Sequence, residues 1–96
     1  MEVITTTLSK ALIRRLGDEF LLILKFDHGR LRKPYLPLEW RWTLSKKEGA
    51  PHLFKTMQIT DAKEWHDVDN TVIRLKCDFG ELHSVGHAIH DIWLDV

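Results

Sequence analysis

The stretch Glu81-Leu82-His83-Ser84-Val85-Gly86-His87-Ala88-Ile89-His90-Asp91-Ile92-Trp93-Leu94-Asp95-Val96 decides how the chain is read, because winding it as a helix sorts it into two sides. At about 100° per residue, Leu82, Val85, Ala88, Ile89, Ile92, Trp93 and Val96 fall within roughly 140° of arc, a stripe suited to docking on a core. His83, His87 and His90, at i, i+4 and i+7, then gather on the opposite side with Asp91 at their edge. The spacing predicts a helix over 83–93. Read as a strand, the same residues put His83 and His87 on one face and His90 on the other, and the cluster dissolves.

Three imidazoles on adjacent helical turns can reach one metal ion, and neutral imidazole suits zinc or nickel. His83, His87 and His90 are therefore the candidate metal ligands, with His66, Asp67 or Asp91 available to close the site. The competing reading is a solvated polar face that happens to use histidine, in which case no cofactor is expected. The same histidines could act as general acids or bases in a small metal- or histidine-dependent nuclease. No nucleophile is marked by spacing, and the chain reads more as a binding protein than as an enzyme.

Working back from this stretch, Thr71, Ile73, Leu75, Cys77 and Phe79 alternate with Arg74, Lys76 and Asp78 and predict a strand that ends in a turn at Asp78-Phe79-Gly80. Thr60 to Asn70 is polar apart from Ala62, Trp65 and Val68, which suits a short helix or turn. His52 to Ile59 fits either period and is assigned to a strand, paired across the polar turn Ser45–Pro51 with Leu38–Leu44. In that last segment Leu38, Trp40, Trp42 and Leu44 alternate with Glu39, Arg41 and Thr43, the clearest period of two in the chain.

Arg30 to Pro37 carries two prolines and reads as a loop. Glu19 to Phe26 is apolar on consecutive positions, the pattern of a strand covered on both faces. Leu8, Ala11, Leu12 and Leu16 have helical spacing and predict a helix ending at Gly17; the alternative is a hairpin turning at Gly17-Asp18. Val3 to Thr7 is β-branched and reads as a strand. The expected fold is α+β: residues 1–96 as a single compact domain, with a small antiparallel or mixed sheet of about four strands and short helices packed on one face.

A hydrophobic share of 44% with four Trp and four Phe belongs to a chain that folds. One cysteine, Cys77, allows no internal disulfide and points to a reducing, cytoplasmic setting, where it reads as an inert core thiol. The apolar runs are too short for a membrane helix. Lys/Arg and Asp/Glu balance at 14 each, which argues against wholesale nucleic-acid binding, yet residues 1–48 carry ten against six and residues 49–96 four against eight.

Two functional readings follow. Neutral charge, small size and surplus aromatics favour association, either with itself as a homo-oligomer or with a larger protein partner. The alternative is RNA or single-stranded DNA binding through the 28–42 stretch, where Arg30, Arg32, Lys33 and Arg41 are interleaved with Tyr35, Trp40 and Trp42.

Overall fold

The β-branched start at Val3 extends much further than the residues that announce it: the first strand, β1, runs Glu2–Leu16. The computed structural model describes residues 1–30 and 36–96. β1 turns back at Gly17-Asp18 into β2 (Glu19–Asp27), with Leu16 opposite Glu19. Gly17 takes φ 61° while Asp18 keeps a negative φ, the II′ pattern whose twist matches the flanking strands.

The helix expected over Leu8–Leu16 is thus a strand, and a bulge explains the misreading. Ile4, Thr6 and Leu8 face the core in alternation, then the register with β2 slips between Leu8 and Lys10. The extra residue, Ser9, makes Ala11 the next core-facing position. Leu8 and Ala11 stand three apart, as on a helix, although the backbone is extended.

β3 (Glu39–Ser45) pairs with β2 and leads directly into the helix α1 (Lys46–Thr60). Ser45 caps the helix: its hydroxyl accepts from the Glu48 N–H (3.3 Å), and Glu48 Oε1 accepts from the Ser45 N–H (3.3 Å). This reciprocal pair is a capping box, so the strand expected at His52–Ile59 is helical instead. A 3₁₀ turn at Trp65–Val68 precedes β4 (Thr71–Asp78) and β5 (Glu81–His87), and β6 (Trp93–Asp95) closes the chain.

The helix expected over 83–93 is also absent: its first part is β5 and its last part enters β6. A second bulge stands behind this. Cys77 faces Leu82 and Lys76 faces Ser84, leaving His83 as the extra residue. Leu82 and Val85 consequently share the core side at a spacing of three.

All pairings are antiparallel, in the order β3-β2-β1-β4-β5-β6, and the sheet curls into a half-barrel. Among the described residues the fold is therefore mostly β, with six strands and one α-helix, rather than the four-stranded α+β arrangement expected from the sequence. Strands do stand where 19–26, 38–44 and 71–79 predicted them.

α1 lies across the core-facing side of the sheet, touching β2 through β6. Leu8, Leu22, Leu24, Ile73, Leu75 and Val85 from the sheet meet Ile59 from the helix and Val68 from the 3₁₀ turn, all essentially inaccessible to water. Thr56 and Thr60 of α1, also buried, satisfy their hydroxyls on the carbonyls of His52 (2.8 Å) and Thr56 (2.9 Å). Among the described residues no helix is long and apolar enough to cross a membrane.

Candidate functional site

The end of β5 brings two of the three candidate histidines together. His87 and His90 stack with ring centroids 4.6 Å apart, while His83 sits apart at the bulge with its Nε2 buried and without a hydrogen-bond partner among the described residues. His87 is buried on the core side. Its Nδ1 accepts the backbone N–H groups of Ile89 and His90, each at 3.0 Å. Those two donors place the ring proton on Nε2, which donates to Asp61 Oδ2 at 2.6 Å.

Both nitrogens of His87 are thus engaged, and the chain from His87 to Ile92 is wound round the ring. Arg74 fastens it from outside, donating from Nε to the His87 carbonyl (2.7 Å) and from Nη2 to the His90 carbonyl (2.9 Å). Asp61 reaches the ring from the end of α1, where it holds the left-handed conformation at φ 57°. This arrangement ties a loop to a helix end and leaves His87 no free lone pair for a metal.

Ligand-type side chains do converge elsewhere. Glu64, His66 and Asp67 lie with one donor atom each within 4.8 Å of one another, a grouping that could hold a metal ion. His66 Nε2 is 3.3 Å from both Glu64 Oε2 and Asp67 Oδ1. All three are exposed, and exposed acidic groups commonly stand so without a metal. The sequence pattern reaches His66 and Asp67 only as auxiliary ligands.

The basic-aromatic stretch divides. Trp42 is buried and Trp40 half-buried on the core side of β3, packed edge-on at 6.4 Å. Arg41 points the other way and pairs with Glu39 at 3.2 Å, and Arg30 is exposed. Arg32, Lys33 and Tyr35 lie outside the described residues. The two tryptophans expected to stack on bases are therefore held by the core, away from the cation of their own strand. His28 is likewise structural: Nε2 donates to the Pro37 carbonyl (2.6 Å) and Nδ1 meets the Thr6 hydroxyl (2.8 Å).

A cation-aromatic group that the sequence did not reveal lies on the outer face. Lys76 Nζ and Arg74 Cζ stand 4.0 and 4.8 Å from the Trp93 ring centroid. Trp93 lies flat on Gly86, where any Cβ would overlap the indole. Cys77 is buried as expected, and desolvation, followed by the nearby charge of Glu2, raises its thiol above the ordinary value.

Strand β3 stands at the outer end of the sheet order. Phe26 N–H donates to the Leu38 carbonyl at 2.9 Å, which fixes the phase of the β2–β3 ladder. Trp40, Trp42 and Leu44 therefore turn their backbone groups toward β2, and Glu39, Arg41 and Thr43 turn theirs outward. Among the described residues no strand lies beyond them. Comparison with protein families, with curated proteins and with solved structures finds no match to this chain.

Proposed function

We propose that the protein works by association, taking up another polypeptide strand along the open edge of β3. The observation that carries this reading is the outward row of Glu39, Arg41 and Thr43 backbone groups on a regular strand of seven residues. An unpaired row of N–H and C=O groups is a template for a further strand. A half-barrel that does not close keeps such a row along its outer strand β3. β3 contains no proline and no register slip, two of the devices by which natural edges are blunted.

Sedimentation of the purified chain over micromolar to submillimolar concentrations tests the reading. The expected result is a mass that rises above the monomer with concentration and returns to the monomer in Arg41→Pro. Proline there deletes an outward N–H that has no acceptor on β2 or elsewhere among the described residues. Glu39→Pro serves as a second variant, and circular dichroism checks that each remains folded. A wild-type monomer throughout, or undiminished association in folded proline variants, would overturn the proposal.

A further inference from the structure

We infer that the strand added at β3 is β3 of a second copy, antiparallel and related by a two-fold axis at Trp40, so that Glu39 of each protomer faces Arg41 of its partner. This rests on the association reading above and specifies its partner and register.

The phase of β3 leaves few choices. In an antiparallel pair, outward-facing residues must oppose outward-facing residues to exchange hydrogen bonds. Each allowed register therefore sets one member of the row Glu39, Arg41, Thr43 against another. An axis at Glu39 itself brings Glu39 against Glu39, and an axis at Arg41 brings Arg41 against Arg41. Like charges directly opposite one another are destabilising.

An axis at Trp42 requires Ser45 to pair with Glu39 of the partner. The Ser45 N–H, however, is already taken by Glu48 Oε1, and α1 leaves the sheet at the next residue. The axis at Trp40 opposes no like charges and leaves the Ser45 N–H alone, although its ladder ends at the Glu39–Arg41 pairs, because Thr43 falls opposite Pro37, which has no N–H and whose carbonyl accepts from His28. It sets Glu39 opposite Arg41 twice, on the outer face, where both side chains are partly exposed (39% and 53%).

The core-side face supports the same register. Trp40 is half-buried, packed on Trp42 along one edge. With the axis at Trp40, the two Trp40 residues become a cross-strand pair at a non-hydrogen-bonded position, where side chains approach closest and aromatic pairs are favourable. Leu38, 72% exposed in the monomer, comes to lie opposite Trp42 of the second copy. The register thus covers an exposed leucine and a half-covered tryptophan while matching both charges. The result is a continuous sheet running through two half-barrels.

Charge reversal reads the register directly in sedimentation. Glu39→Arg and Arg41→Glu are each expected to weaken the dimer about tenfold, since two facing pairs change from attraction to repulsion. Mixing the two single variants in equal amounts restores a dimer of wild-type strength. The arginine introduced in one chain then faces the glutamate introduced in the other, and the native Arg41 and Glu39 face each other on the far side of the axis. The double reversal in one chain restores the homodimer as well. Single reversals that associate like wild type, or a mixture that stays monomeric, overturn this register; if Arg41→Pro still abolishes association in that case, the edge reading stands without it. A wild-type monomer at every concentration removes both.

Discussion

His87 Nε2 and Asp61 Oδ2 stand 2.6 Å apart, joining the end of β5 to the left-handed residue that ends α1. The imidazole is almost inaccessible and the carboxylate is largely open to water, so the two partners are unequal. Asp61→Ala leaves a buried N–H with only water to replace its acceptor and is expected to cost about 1 kcal/mol, a drop of about 4–8 °C in Tm. Asp61→Asn keeps both an acceptor oxygen and tolerance of positive φ, and should lose less. Thermal unfolding of the two variants checks the order; equal losses would mean that the carboxylate charge, which both variants remove, sets the cost rather than the acceptor oxygen or the backbone conformation.

The engagement of both His87 nitrogens also sets an expectation for zinc. Any heat of zinc binding at pH 8 should survive His87→Ala, apart from lowered stability, and should vanish in His66→Ala, whose Nε2 lies between Glu64 and Asp67. Calorimetry decides. Heat lost in His87→Ala and kept in His66→Ala would restore the three-histidine site.

Gly49 offers a reversal of sign. A glycine inside a helix normally gains about 1 kcal/mol on replacement by alanine. At Gly49, which is buried, the new Cβ would overlap the ring of Phe20 on β2. Gly49→Ala is therefore expected to destabilise the protein, and to become stabilising in a Phe20→Ala background. Chemical denaturation of the double-mutant cycle checks both signs.

Hydrogen bonds from the Ser45 side chain and then its backbone hold the Glu48 carboxyl below its ordinary value of 4.5. A folded-state value lower than the unfolded one gives stability that is present above pH 4.5 and is lost as pH falls through the lower, folded value. The Tm advantage of wild type over Glu48→Gln should accordingly be complete at neutral pH and shrink progressively below pH 4.5. A gap that widens on acidification would refute this assignment.

Phe79 and Gly80 form the turn between β4 and β5 with φ 48° and 83°. That is the I′ pattern, in which asparagine or glycine is favoured at the first position. Phe79 is fully exposed and gains nothing from burial. Phe79→Asn is expected to raise Tm, by about 4–8 °C if the relief reaches about 1 kcal/mol.

Much of the sheet was legible because its strands obey simple periods. Glu39–Ser45 alternates and is a one-face-buried strand; Phe20–Leu24 is apolar throughout, and even Ile23, on the outer face, is 1% exposed between Leu12 and Arg41. The two false helices share one cause. At Ser9 and at His83 an inserted residue breaks the alternation and leaves Leu8/Ala11 and Leu82/Val85 at the helical spacing of three. A period computed over a bulge cannot separate these cases, although the Gly17-Asp18 turn signal pointed correctly to a hairpin. The true helix was hidden for the opposite reason: Ser45 and Glu48 announce its start, but Thr56 and Thr60 occupy buried positions where apolar residues would have marked a stripe. The site was less legible still, since the stack of Arg74, Lys76 and Trp93 and the pairing of His87 with Asp61 depend on strands and a helix end that are distant in sequence.

β1 meets two neighbours at different points of its length: Thr7–Leu16 pairs with β2, and Glu2–Leu8 pairs with β4. The first pairing needs only a two-residue turn, but the second must wait for a segment from the far side of α1. Loop-closure entropy makes local contacts cheap and distant ones slow. During synthesis the hairpin of β1 and β2, joined by β3, can therefore form while the N-terminal half of β1 is still unpaired on the side later taken by β4. Docking of β4 on Glu2–Leu8 is then expected to come late, and substitutions there, rather than in the hairpin, to slow folding in a stopped-flow measurement.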